Sequence, residues 1–304
     1  MRPNHSPRIS IVLPAFKSAS FLQEALDSLR NQTFRDWELL IVLDPSSDET
    51  EEISLKAASA DPRFIVLRNR WKGIAGALNT GILAASGELI ARMDADDISL
   101  PNRLEQQVRF MDSNPEVGVL GTAFEAFGRS ERPFVVCHPT NPLFNCFHLC
   151  ADSILGHPTV VMRRSLVLLA GGYDASHPAE DMALFATLAR RTRLANLETP
   201  LLRYREHGAN LSAVHREKVV QSSISIGRLH VASVLGSDRA HSLLRAFILS
   251  PRSLGLMRRT QGLFVALSFV HRIRKLYRIH ILSKTNLGCL WAILRLYRGW
   301  RFHG

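Results

Sequence analysis

The 304-residue chain has only four cysteines, at 137, 146, 150 and 289, too few and too unevenly spaced for a disulfide framework. They form no paired Cys-x-x-Cys knuckles, so zinc is not expected even with His138 and His148 nearby. No run reaches the roughly 18–20 apolar residues that cross a bilayer, which argues against a spanning segment. No secretory leader precedes the first apolar run, so a reducing, cytoplasmic setting is expected. Acidic residues are missing from the last quarter. From residue 240 on there are twelve Lys or Arg and no Asp or Glu, leaving 26 basic against 27 acidic groups in residues 1–239. The formal charge of +11 therefore belongs to the tail, and the partners of body and tail need separate arguments. Core-forming material is plentiful: with 46% hydrophobic and 21% charged residues the chain is globular, not disordered or fibrous. Its length allows one large α/β domain plus an appendage, or two modest domains.

The front of the chain alternates two periodicities. Arg8-Ile-Ser-Ile-Val-Leu-Pro14 is a short apolar run stopped by a proline, and Phe21, Leu22, Ala25, Leu26 and Leu29 then recur at helical spacing. Trp37 to Leu43 is a second strand ending at Asp44-Pro-Ser-Ser-Asp48, before an acid-rich helix start. Phe64–Leu67 and Glu88–Met93 read as further strands, with a helix over Ile74 to Ala85 opened by Gly73. This alternation predicts an α/β fold with a mostly parallel open sheet and helices on both faces. In such sheets ligands bind beyond the carboxyl ends of the strands. Here those ends carry Pro14-Ala15-Phe16, Asp44 and Asp94-Ala-Asp-Asp97.

Three carboxylates within four residues repel one another unless a cation or hydrogen-bond donors compensate them. Magnesium or manganese takes one or two carboxylates and fills its other positions with water and phosphate oxygens. The competing reading is that Asp97 or Ser99 caps a helix beginning near Pro101, with the other acids merely solvated. A second acidic pair, Glu180-Asp181, stands in the first turn of a predicted helix over Ala183–Ala189, where a favourable interaction with the helix dipole is the alternative to a catalytic role.

Six segments in order resemble the family 2 glycosyltransferases of the GT-A nucleotide-sugar fold. They are Ile9–Phe16, Asp44–Asp48, Gly73–Asn79, Gly87–Asp97 with Pro101, Gly171-Gly-Tyr-Asp174, and Glu180-Asp181, together covering about residues 8–212. The resemblance implies a nucleotide-sugar donor, most often a UDP-sugar, bound by Pro14, Ala15, Phe16, Asp44, Asn79 and Asp94. It implies Mn2+ or Mg2+ on Asp96 and Asp94, with Asp94 nearer the ribose and Asp96 nearer the metal. His207, in Leu201–His207 before Asn210-Leu-Ser212, reaches the diphosphate or the metal, or is simply a satisfied surface residue. Asp181 is implied as the base that deprotonates the acceptor hydroxyl, on the sugar face opposite the departing phosphate as an inverting transfer requires. Glu180 and His157, in Gly156-His157-Pro158-Thr159, lie on the acceptor side, His157 contacting the sugar or ordering a turn. The expected product is a cell-surface polysaccharide or glycan built on a saccharide or lipid-linked acceptor.

The pattern also departs from that family. Relatives usually carry an acid at the position of Leu43, a glycine at Pro45 and often an arginine at Leu78; Pro45 lacks an N–H and stiffens the loop after Asp44. Arg68, Arg70 and Lys72 either offset Leu78 at the phosphates or form a solvated basic loop. Neither a Gln-x-x-Arg-Trp element nor a spanning run is present, which fits single addition rather than processive synthesis.

The expected domains are a catalytic body over 1–214, with a donor half at about 8–121 and an acceptor half at 122–214, and a basic helical region over 215–304. Within the latter, residues 252–304 place Phe264, Tyr277, Trp291 and Trp300 beside Lys and Arg. That composition fits an anionic membrane surface, peripheral on the cytoplasmic side. The alternatives are a subdomain packed on the core and a nucleic-acid contact, though no specific nucleic acid is expected. Two rival functions remain at this level: a sugar-nucleotide nucleotidyltransferase, which should show a Gly-rich basic loop after the first strand where Pro14-Ala-Phe-Lys-Ser has one lysine, and a degenerate, non-catalytic scaffold.

Overall fold

In a computed structural model, residues 6–129, 132–208, 216–250, 253–276 and 284–297 are described. The predicted alternation is observed: β1 (Ile9–Ala15), α1 (Ala19–Arg30), β2 (Trp37–Leu43), α2 (Thr50–Ala60), β3 (Phe64–Arg68), α3 (Gly73–Ala84) and β4 (Leu89–Arg92). Next come β5 (Ile98–Ser99), α4 (Arg103–Ser113), β6 (Val117–Phe127), β7 (Phe134–Val136) and α5 (Pro142–His148). After a 3-10 turn at His157–Thr159 follow β8 (Val161–Arg163), α6 (Arg164–Leu169), α7 (Glu180–Leu188) and β9 (Arg193–Arg205). The chain ends in α8 (Arg216–Leu235), α9 (His241–Leu249), α10 (Leu256–Leu276) and α11 (Lys284–Tyr297).

One sheet runs in the order β3-β2-β1-β4-β8-β6-β9-β5, with β7 added to β6. The first four strands are parallel, each joined by a helix, as buried apolar runs demand. Beyond β4 the sheet is mixed: β8 is antiparallel to β4 and β6, while β9 runs parallel to β6 and antiparallel to β5. Strand residues alternate between two apolar layers. Ile9, Ile11 and Leu13 face a layer that includes Leu22, Leu26 and Leu29 of α1 and Leu104 and Met111 of α4. Val12 and Val42 face the other, with Ala77 and Leu78 of α3, Phe144 and Phe147 of α5 and Phe185 of α7. Gly81 lets α3 settle on β1, since a Cβ there would lie 2.4 Å from a Val12 methyl.

The C-terminal helices extend this second layer. Phe247 of α9, Phe269 and Ile273 of α10, and Ile293 and Leu296 of α11 are buried in the same cluster as α5 and α7. The described part of the basic region is thus packed on the core, while Tyr277 and Trp300 lie outside the described residues, as does Asn210-Leu-Ser212. No helix among the described residues is long and apolar enough to cross a membrane.

Candidate active site

The carboxyl ends of β1, β2 and β4 lie side by side because the three strands are neighbours in parallel register. At the end of β2, the Asp44 N–H donates to the Ala15 carbonyl at 3.1 Å, tying the two loops together. The Asp44 carboxylate accepts from Asn69 Nδ2 at 2.8 Å. Asn69 is itself fixed, its N–H donating to the Leu43 carbonyl at 2.8 Å and its side-chain oxygen accepting from Trp71 N–H at 3.0 Å. After Ala15 the chain turns out: Phe16 is 54% exposed, and Lys17 adopts φ +50°, a left-handed conformation uncommon for a non-glycine residue. Ser18 and Asp48 hold that turn, with Ser18 N–H on Thr50 Oγ1 (2.8 Å) and Ala19 N–H on Asp48 Oδ2 (3.1 Å).

Two of the departures, Leu43 and Pro45, flank Asp44 at this edge, and the third, Leu78, lies in α3. Leu43 and Leu78 are buried in the two apolar layers, and Pro45 is exposed. Arg68 pairs with Glu51, and Arg70 and Lys72 are exposed on the loop before α3.

Beyond β4, the carboxylate oxygens of Asp94, Asp96 and Asp97 lie within 4.8 Å of one another. Asp96 Oδ2 is 2.8 Å from His207 Nε2, whose ring stacks on Phe21 with centroids 5.2 Å apart. Asp94 is ion-paired with Arg92, a buried side chain on β4. Asp97 Oδ1 accepts the Arg205 N–H at 2.9 Å, and Asp97 Oδ2 is buried without a partner among the described residues. Burial, followed by the charges of Asp94 and Asp96, pushes the Asp97 carboxyl well above its ordinary range. Burial also raises Asp94, against the pull of Arg92. Neither Asp97 nor Ser99 caps α4, whose N-cap is Asn102; Ser99 lies in β5. Three crowded oxygen donors, one of them buried and unpartnered, fit a hard divalent cation, which would reverse these shifts.

Asn79 of α3 grips the backbone of Tyr173: its Nδ2 donates to the Tyr173 carbonyl and its Oδ1 accepts the Tyr173 N–H, both at 2.8 Å. The approach requires Gly172, at φ +77°, because a Cβ there would lie 2.4 Å from Asn79 Oδ1. The buried Tyr173 hydroxyl meets His157 Nε2 at 2.8 Å. His157, which opens the 3-10 turn, is held neutral by burial and by the nearby Arg92 charge. Glu180 and Asp181 occupy the first turn of α7. Burial raises Asp181 above its ordinary range, while Arg92 pulls it down. Burial and then the Asp181 charge push Glu180 up to about 7. The charges of Arg92, Asp181, Glu180 and Asp94 all act on the Tyr173 phenol, so the groups after β4 and those opening α7 share one electrostatic site.

Pro14, Ala15, Phe16, Asp44, Asp94, Asp96 and His207 therefore lie on the strand-end rim, and His157, Glu180 and Asp181 beside it, with Asn79 acting through Tyr173. Sequence reasoning missed Asn69, Arg92, Tyr173 and Arg205, and weighed Asp97 as a cap or a member of the acidic triplet without giving it a site role. Asp97 was adjacent to the expected pair, and Tyr173 stood inside a recognised segment. Arg92 read as a strand residue, and Arg205 reaches the site only through the pairing of β9 with β5 and β6.

The family model for Glycosyl transferase family 2 matches residues 10–160. The chain is 30% identical over 215 residues to the amylovoran biosynthesis glycosyltransferase AmsE of Erwinia amylovora, covering 69% of this chain and 80% of that one. It is 39% identical over 160 residues to the Escherichia coli UDP-Glc:alpha-D-GlcNAc-diphosphoundecaprenol beta-1,3-glucosyltransferase WfgD, covering 52% of this chain and 61% of that one. Its fold is similar to that of S. aureus TarS solved in complex with UDP-GlcNAc, with TM-score 0.63 and 18% identity, covering 96% of this chain and 91% of that one.

Proposed function

Because the chain belongs to the family 2 glycosyltransferases and is therefore a glycosyltransferase, we propose that it transfers single sugars with inversion from a UDP-sugar to a saccharide or lipid-linked acceptor, with a divalent metal. The observation that carries this reading is the cluster of Asp94, Asp96 and Asp97 with its unpartnered buried oxygen. Asp96 and Asp94 would hold the cation, with His207 alongside. Bound there, Mn2+ or Mg2+ would supply positive charge against the negative charge that develops on the diphosphate as its bond to the sugar breaks.

The protein's own groups divide the remaining work. Asp44, oriented by Asn69, accepts hydrogen bonds from the nucleobase, and the Pro14-Ala15-Phe16 loop forms the wall it lies against. Asp94, fixed by Arg92, accepts from the ribose. Asp181 takes the acceptor proton on a carboxylate oxygen; its raised affinity for protons makes it a better base than a solvated aspartate. Neutral His157 and Tyr173 hydrogen-bond sugar hydroxyls, and Glu180 lies beside them on the acceptor side. A uridine donor is supported by the UDP-Glc in the name of WfgD and the UDP-GlcNAc held by TarS. A polyprenyl diphosphate-linked acceptor is supported by the name of WfgD, and a role in surface polysaccharide by that of AmsE. We place the catalytic body at 1–214 and the enzyme on the cytoplasmic face of a membrane, where such an acceptor is presented.

The test is thermal. At a hundredfold excess over Kd a ligand binding only the native state adds about 2.7 kcal/mol, about 5 °C in melting temperature for a chain this size. UDP with Mn2+ is expected to produce such a shift in the wild type and in Asp181→Asn but not in Asp96→Ala. Asp181→Asn is expected to lose transfer. A scaffold with a decayed donor site shows no shift in any of them, and that result would end the proposal.

A further inference from the structure

Packing the tail on the core leaves one side of two helices without a partner among the described residues. Along α10, Met257, Gln261, Phe264, Ser268, Arg272 and Lys275 are all exposed and recur at three- and four-residue spacing, so they form one stripe. Ala266, Phe269, Val270 and Ile273 occupy the opposite face and are buried. On α11, Leu287, Trp291 and Leu294 form an outward row above buried Cys289, Ala292, Ile293 and Leu296. The two helices pack on each other and both pack on α5, so both outer faces look away from the core. Met257 is 74% exposed, Phe264 68% and Trp291 57%. Isolated exposed apolar side chains are ordinary, but a row of large ones on adjoining helices marks an interaction surface.

Charge decides the partner. No Asp or Glu occurs from residue 240 to the end, against twelve Lys or Arg. Arg258, Arg272 and Lys275 are exposed beside the apolar row. The Arg295 guanidinium lies over the Trp291 ring, 4.2 Å from its centroid. A second copy of so basic a face would repel the first. Nucleic acid would use the arginines and the aromatic rings, but it gives no reason for exposed Met257, Leu287 and Leu294. Aliphatic and aromatic side chains bordered by cations match the interface of an anionic bilayer, where apolar groups enter the acyl boundary and Lys and Arg meet the headgroups.

We propose that the outer faces of α10 and α11 form a monotopic docking surface for an anionic lipid bilayer, with Phe264 and Trp291 as the inserted anchors. This surface rests on and deepens the lipid-linked reading above by seating the enzyme beside its acceptor, and the geometry requires no spanning segment.

The test uses the full chain and vesicles of phosphatidylcholine with or without about 30% phosphatidylglycerol. Wild-type protein floats with the anionic vesicles, releases as salt is raised, and stays behind with the neutral ones. The Phe264→Glu/Trp291→Glu double variant changes only exposed side chains and loses at least about tenfold in partitioning. It keeps its circular dichroism and its UDP–Mn2+ melting shift, which reads the donor site separately. Arg272→Glu/Lys275→Glu weakens flotation in the same way and serves as the second variant should the first fail to fold. The proposal is overturned if the wild type does not float, if both double variants float as well as it does, or if a single-stranded oligonucleotide outcompetes the anionic vesicles. Loss of the melting shift in the wild type would instead strike the donor reading and leave the membrane result standing.

Discussion

Replacing Glu180 by glutamine should stabilise the protein, and only at neutral to alkaline pH. In the folded chain, burial and the neighbouring Asp181 raise the Glu180 carboxyl from 4.5 to about 7. The folded state therefore holds a proton that the unfolded state has already released. Between pH 4.5 and about 7 the unfolded chain binds fewer protons, so stability falls as pH rises through that window and levels off above it. At about 1.4 kcal/mol per pH unit the full penalty is about 3 kcal/mol. Glu180 is only partly buried, and water screens part of the repulsion, so about 1–2 kcal/mol is expected. Glutamine keeps the shape and never ionises. Metal-free Glu180→Gln should melt about 2–4 °C above the wild type at pH 8 and within error of it at pH 4.5. Thermal or urea denaturation at the two pH values measures the difference. An equal gain at both pH values, or none at pH 8, would refute the claim that burial, with the neighbouring Asp181, penalises the charged form of Glu180.

Gly172→Ala combines a positive φ with a Cβ only 2.4 Å from Asn79 Oδ1. It is expected to cost about 2 kcal/mol or more in urea denaturation and to slow transfer while leaving the UDP–Mn2+ shift in place. Asn69→Ala removes the bond that orients Asp44, and calorimetry should show UDP binding weakened about tenfold. Asp48 desolvation acts upward, but hydrogen bonds from Ser46, Ala19 and Thr50 hold its carboxyl down to about 2. Its contribution is present above about pH 3.8 and lost as pH falls toward 2, so Asp48→Asn should shift the acid-unfolding midpoint upward.

The parallel half of the sheet was legible because its signals are local. A buried strand shows as a short apolar run, a strand end as the proline or acid that stops it, and the carboxylate cluster as three acids in four residues. Even the competing cap reading was concrete enough for Asn102 to displace it. What escaped is long-range. Arg205 arrives at the end of β9, more than a hundred residues after the acid it touches, through a pairing with β5 and β6 that no local pattern announces, whereas His207, which meets Asp96 just beyond, was singled out only by the family resemblance. The mixed half of the sheet, where β8 enters antiparallel between β4 and β6, is hidden for the same reason. Asn69 sits in a loop whose polar residues look solvated until Asp44 and Thr80 are seen around it. The tail offered apolar patches beside basic clusters, a pattern equally suited to a core or a bilayer. Folded, its described helices bury one face in the core and expose the other, with Phe269 inside and Phe264 outside.

A divalent cation at the rim of β4 is the premise on which the proposed transfer turns. Crystals soaked in UDP and Mn2+ and measured at the manganese absorption edge should give an anomalous peak in contact with Asp96 and with both phosphates of UDP. An absent peak, or one elsewhere with Asp94 and Asp96 turned from the nucleotide, would contradict it.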